Sequence, residues 1–219
     1  MRLRLALFDL DGTLVDSQAH IVGAMGAAFD AVGRTPPPRD EILGQVGLSL
    51  PLVMARLAPG DDHATMLAAY KDRYQVLRAA GPANLYPGIG AALNALHARD
   101  TVLVGIATGA SRGGMTAMID THDLRPATAQ CADDHPSKPA PSMVLAALAE
   151  TGVDPDDAVM IGDSAYDMQM ARSAGVFALG VAWGYHAPDQ LRDAGAAEIV
   201  ADAAELVPAL DRYWRTSDG

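Results

Sequence analysis

A short apolar run that empties into carboxylates constrains this chain more than any other stretch. Leu5-Ala6-Leu7-Phe8 is apolar throughout, the pattern of a buried strand, and at Asp9 it gives way to Asp9-Leu10-Asp11-Gly12-Thr13 and then Asp16-Ser17. In an open parallel sheet, ligands bind beyond the carboxyl ends of the strands, so Asp9 and Asp11 are expected at the rim of such a sheet. Taken alone, an acidic turn with a glycine explains the stretch equally well, and the rest of the chain has to decide.

Beyond Ser17 the period becomes helical. Ile21, Val22, Met25, Ala28, Phe29 and Val32 recur every three or four residues up to Gly33, and Pro36-Pro37-Pro38 then stops the helix. Shorter helices are expected over 39–43 and 51–57, and a longer one from about Asp62 to Ala80, closed by Gly81-Pro82. No strand is expected between Asp16 and Asn84. From Tyr86 onward helices and strands alternate. Strands are expected at Thr101 to Ala107, Ala127 to Cys131, Ala158 to Ile161, Val176 to Trp183 and Glu198 to Val200, with helices between them and a last helix from Ala203 to about Tyr213. This is the pattern of an α/β fold, a parallel sheet with helices on both faces, interrupted after its first strand by an all-helical insertion placed where a lid would lie.

Composition narrows the partners. Half of the 219 residues are hydrophobic, enough for a substantial core, and the net charge of −11 repels nucleic acid and anionic membrane surfaces. Arg2 and Arg4 before an apolar run imitate a signal peptide, but Asp9 and Asp11 break the run too early, so secretion is not expected. No segment reaches the roughly 20 apolar residues of a spanning helix. The lone Cys131 cannot form an internal disulfide, which fits a cytoplasmic protein.

Four segments carry the candidate chemistry: Asp9 and Asp11; Thr108-Gly109-Ala110-Ser111 after the second strand; Ser137-Lys138-Pro139; and Gly162-Asp163-Ser164 with Asp167 beyond. Each is weak alone, since threonine caps helices, loop lysines are usually solvated and aspartates favour turns. Together they offer carboxylates for a hard cation such as Mg²⁺, with Asp9 and Asp163 as ligands, and a hydroxyl, an ammonium and a helix N-terminus after Gly109 for phosphate. Asp9 can serve as a nucleophile toward phosphorus. Asp11, two residues on, alternates to the same side of an extended strand and can act as acid and then base. Lys138 stands out because 14 of the 16 basic residues are arginine and only Lys71 and Lys138 are lysine. A compact point charge suits a tight phosphoryl site.

Asp9-Leu10-Asp11-Gly12-Thr13-Leu14-Val15-Asp16-Ser17, Thr108, Lys138-Pro139-Ala140-Pro141 and Gly162-Asp163-Ser164-Ala165-Tyr166-Asp167-Met168 resemble, in order and spacing, the four motifs of the haloacid dehalogenase superfamily. Within it the chain is most similar to phosphoglycolate phosphatase-like members with a small helical cap, including Val46-Gly47-Leu48-Ser49-Leu50 and Leu85-Tyr86-Pro87-Gly88. The resemblance implies a Rossmann-like core of residues 1–15 and 84–219 and a cap of residues 16–83. It implies Asp9 as nucleophile and metal ligand, and Asp11 as acid and base with its backbone carbonyl on Mg²⁺. Thr108, Gly109 and Lys138 would sit on the phosphoryl group, Asp163 on the metal, and Asp167 on the metal or its shell. Many relatives continue the second motif with asparagine and lysine, where this chain has Gly109-Ala110 and keeps only backbone N–H groups. Gln45, Ser49 and Arg56 are the candidate substrate contacts of the cap.

The implied activity is Mg²⁺-dependent hydrolysis of a small phosphorylated metabolite, phosphoglycolate first, by a monomer or homodimer. The alternatives are phosphoryl transfer to a sugar hydroxyl, as in a phosphoglucomutase, and a non-catalytic binding module on the same fold. The turn from Gly12 to Asp16, where the chain leaves the core, is expected to couple Asp11 to cap closure.

Overall fold

A computed structural model describes residues 2–217. Arg4–Phe8 form β1 at the middle of a six-stranded parallel sheet, flanked by β2 (Val102–Thr108) and β4 (Ala158–Gly162). Phe8 lies opposite Ile106 on one side and Ile161 on the other. The chain runs outward to β3 (Thr128–Cys131), returns across the sheet to β4, then runs outward again through β5 (Phe177–Val181) and β6 (Glu198–Val200), so that the strand order is β3-β2-β1-β4-β5-β6. The order reverses between β1 and β4, and a crevice opens at such a switch point beyond the strand ends.

Alternation along β1 divides the core in two. Ala6 and Phe8 face a layer built from α5 (Ile89–His97), α6 (Arg112–His122) and α10 (Leu206–Ser217), where Leu96, Met115 and Trp214 are buried. Leu5 and Leu7 face α7 (Ser142–Thr151), α8 (Ala165–Ala174) and α9 (Pro188–Ala194) through Met143, Met168 and Leu191. The Trp214 indole N–H donates to Asp157 O at 3.1 Å, so the largest buried side chain is also satisfied.

Between β1 and α5 stand α1 (Gln18–Asp30), α2 (Arg39–Leu43), α3 (Leu50–Leu57) and α4 (His63–Ala80), with no strand among the described residues of 16–84. They close around an apolar cluster of their own, in which Ile21, Met25 and Phe29 on one face of α1 meet Ile42, Met54 and Met66. Asp62, expected inside the long helix, is instead its N-cap and accepts from the Thr65 N–H at 3.2 Å. The two connectors to the sheet run side by side: Asp16 N–H donates to Asn84 O at 2.9 Å, Tyr86 N–H to Leu14 O at 3.0 Å, and Val15 faces Leu85.

Two expectations are corrected. The fifth strand stops at Val181 rather than Trp183, because the chain there turns back over the strand ends and brings the Tyr185 N–H to Asp163. Gly184 passes so close that any side chain on it would collide with the Asp163 carboxylate. The last helix begins only at Leu206, after a 3₁₀ turn at Ala203–Glu205.

Candidate active site

Asp9 follows β1 directly, Asp163 follows β4, and Asp167 lies in the first turn of α8. All three are buried, and their carboxylate oxygens come within 4.8 Å of one another. Lys138 enters from the loop before α7 and is fully buried behind them, its ammonium 3.0 Å from Asp9 Oδ1 and 2.7 Å from Asp167 Oδ1. Each remaining oxygen but one has a donor. Asp9 Oδ1 also accepts from the Leu10 N–H at 2.7 Å. Asp163 accepts from Thr13 Oγ1 at 2.8 Å and the Tyr185 N–H at 2.9 Å. Asp167 Oδ2 accepts from the Ser164 N–H at 3.1 Å and Ser164 Oγ at 2.6 Å, within a capping box that starts α8. Asp9 Oδ2 is the exception: it is buried and has no hydrogen-bond partner.

Three carboxylates around one ammonium leave excess negative charge. Burial first, then the neighbouring Asp167 and Asp163 charges working against Lys138, hold the Asp9 carboxyl well above the usual range. Burial and Asp167 push Asp163 up to about 7. Lys138 titrates above its ordinary value, because Asp167 and Asp9 outweigh its own burial. A divalent cation would relieve this imbalance and use the unpartnered Asp9 Oδ2, so the cluster fits a hard metal with oxygen ligands.

Asp11 does not share this cluster. The strand ends at Phe8, so Asp11 lies beyond the regular alternation, yet it lines the same cleft as Asp9 and its charge acts on the Asp9 carboxyl. Its carboxylate is held by the Ser17 hydroxyl, with Tyr185 OH 3.2 Å from the same Oγ. Burial raises the Asp11 carboxyl, and the Ser17 hydrogen bond acts in the opposite direction.

Asp9, Asp11, Thr108, Gly109 and Ser49 line a common cleft of about 580 Å³ between the sheet and the helical insertion. Thr108 Oγ1 accepts from the Ala110 N–H at 3.1 Å. The N-terminus of α6 is less open to an anion than expected, since Ser111 Oγ accepts from the Gly114 N–H and Asp133 from the Arg112 N–H. Gly109 has a steric reason: a Cβ there would lie 2.5 Å from Gly47 O and 2.7 Å from Leu48 O, so the loop of the insertion occupies the space a side chain would need. The same loop is pinned by the Ser49 N–H donating to Ser137 Oγ at 2.8 Å.

Gln45 and Arg56 lie outside the cleft lining. The Arg56 guanidinium donates to Gln45 Oε1 and Tyr166 OH, both at 3.2 Å, and lies 5.8 Å from the centre of the Tyr166 ring. Tyr166 OH donates in turn to Gly44 O at 3.3 Å, so these residues tie the insertion to the start of α8. Sequence reasoning missed Thr13, Ser17 and Tyr185. The Ser164 to Asp167 spacing was readable as a helix start.

A parallel sheet with buried aspartates and a lysine at its switch point, under an inserted helical layer, defines a hydrolase class. The chain belongs to the haloacid dehalogenase-like hydrolases, whose family model matches residues 6–181. It is 33% identical to a probable phosphatase IndB of Dickeya dadantii over 97% of this chain and 96% of that protein. It is 31% identical to a phosphoglycolate phosphatase of Rhodospirillum rubrum, over 91% and 88%. A hydrolase from Pseudomonas syringae superposes with a TM-score of 0.84 at 27% identity, over 95% of this chain and 98% of that one.

Proposed function

We propose that this chain is a Mg²⁺-dependent phosphatase of the cytoplasm that hydrolyses a small phosphorylated metabolite through an aspartyl phosphate. Residues 1–15 and 84–219 are the catalytic core and 16–83 the cap. The observation that carries this reading is the asymmetry of Asp9: Oδ1 is taken by Lys138 and Leu10, while Oδ2 is buried at the strand end without a partner.

Asp9, Asp163 and Asp167 would hold Mg²⁺, which supplies charge neutralisation for the phosphoryl group. The Asp9 carboxylate attacks phosphorus, the bond to the ester oxygen breaks, and Asp11 gives its proton to the departing alkoxide. Burial favours the protonated form of Asp11 that this step needs. Asp11 then takes a proton from water, whose oxygen attacks phosphorus, releasing inorganic phosphate and restoring Asp9. Lys138 favours the ionised form of Asp9 against its burial and holds it in place, and Thr108 and Gly109 contact the phosphoryl oxygens.

Phosphate release from p-nitrophenyl phosphate and phosphoglycolate, with and without Mg²⁺, tests the proposal. Release should require Mg²⁺ and disappear in Asp9→Asn. Full activity of that variant, or transfer between sugar phosphates with no free phosphate, overturns it.

A further inference from the structure

The face of the cap that looks into the cleft is unusual for a helix packed over a core. Tyr70, Lys71, Tyr74, Gln75 and Arg78 of α4 all line the cleft, recurring at helical spacing, so one stripe of α4 presents aromatic rings and cations to it. The stripe is ordered. Tyr70 and Tyr74 stack with ring centres 5.9 Å apart, close enough to Asp11 for its charge to act on both hydroxyls. Arg78 lies beyond them, beside Gly114 and Met118 of α6, and its charge acts on Tyr74. From Lys71 to Arg78 the helix advances about 10 Å at ~1.5 Å per residue.

Charge is separated along this cleft. The core side carries Asp9 and Asp11 at the reaction end and Asp133, which accepts from the Arg112 N–H, near the start of α6, whereas Lys71 and Arg78, on the cap side, pair with no carboxylate among the described residues. Some other arginines of this acidic chain pair with acids, Arg34 with Asp61 and Arg99 with Asp211 among them. A half-buried guanidinium left unpaired in a cleft is well suited to a ligand anion, which it can bind by two parallel hydrogen bonds. The volume points the same way, because about 580 Å³ exceeds what a two-carbon ester fills and falls in the range of sugar-sized and larger ligands.

The geometry points to a second recognition subsite: a substrate of sugar size or larger whose far end carries a second anion, carboxylate or phosphate, bound by Arg78 with help from Lys71, while Tyr70 and Tyr74 pack on its middle. This rests on the phosphatase reading of the same site.

The test is competition against p-nitrophenyl phosphate turnover by three esters with one ring and different far ends: glucose 1-phosphate, glucuronic acid 1-phosphate and glucose 1,6-bisphosphate. In the unaltered protein at least one of the two acidic esters should inhibit at tenfold lower concentration than glucose 1-phosphate. Whichever does so identifies the anion as carboxylate or phosphate. Arg78→Gln should shrink the gap to about twofold, and Arg78→Lys should keep part of it. Equal inhibition by all three, absence of inhibition by the acidic pair, or a gap that survives Arg78→Gln overturns the subsite while leaving the phosphatase standing. Failure of the unaltered protein to turn over p-nitrophenyl phosphate with Mg²⁺ removes the phosphatase reading, and the subsite with it.

Discussion

A side chain on Gly109 would place its Cβ 2.5 Å from the carbonyl oxygen of Gly47. The two residues belong to different halves of the molecule, one just past β2 and the other in the loop before α3, so the closeness of cap to core depends on glycine at 109. Gly109→Asn should push the loop away and break the Ser49 to Ser137 hydrogen bond. Hydrogen exchange at the Ser49 amide should quicken, and kcat/KM for phosphate esters should drop by about tenfold, equivalent to ~1.4 kcal/mol. Unchanged exchange at Ser49 would show that the loop tolerates the side chain.

Lys138 is a single buried cation between two carboxylates. Lys138→Met keeps the bulk and removes the charge, leaving Asp9 and Asp167 facing each other uncompensated. Loss of one partner from a buried pair costs about 3–5 kcal/mol, read as a lowered urea midpoint. Mg²⁺ should recover part of it by binding the folded state alone. A midpoint equal to that of the unaltered protein would mean that the aspartates simply protonate at no cost.

Asp11 sits outside the three-aspartate cluster and is held by Ser17. Asp11→Asn should therefore leave Mg²⁺ affinity, measured by calorimetry, within about twofold, while turnover falls by roughly 10²–10⁴, the usual span for a lost acid–base group. Loss of metal affinity would place its side chain on the metal.

Asp163 titrates at about 7, above the ordinary carboxylate value. A carboxyl raised on folding stabilises the protein below its unfolded value, and that contribution is lost as pH rises through about 7. Metal-free protein should thus lose stability between about pH 4 and 7 through this group, and Mg²⁺, which favours the ionised form, should raise Tm more at pH 8 than at pH 6. Equal Mg²⁺ shifts at both values would remove Asp163 from the metal site.

The sheet was legible because its strands are short apolar runs bounded by Gly, Pro and Asp, and the insertion because Ile21, Met25 and Phe29 keep a helical period. The Ser17 partner of Asp11 and the path of the segment 182–185 were not. Both depend on where a strand stops: beyond Phe8 the Asp11 carboxylate is held by Ser17, and the missing side chain of Gly184 lets the chain return onto Asp163. The Thr13 to Asp163 hydrogen bond spans 150 positions, beyond the reach of any local pattern. Gln45 and Arg56 looked like substrate contacts because they are polar residues of the cap. Arg56 instead bonds Gln45 and Tyr166, and Tyr166 lies 110 positions away, so only tertiary structure could reveal the pairing.

The paired connectors, Asp16 with Asn84 and Leu14 with Tyr86, have a consequence for stability. They bring the two ends of the insertion together as tightly as a hairpin would, so the chain passes from sheet to helices and back through one narrow doorway. Because the entropy of closing a loop grows by only ~0.6 kcal/mol for each doubling of its length, what hangs beyond that doorway is nearly invisible to the stability of the sheet. Changes in the length of the helical layer should therefore cost the sheet little through chain entropy, and the ties that remain between the two are local ones, Ser49 to Ser137 and Gly44 to Tyr166 among them.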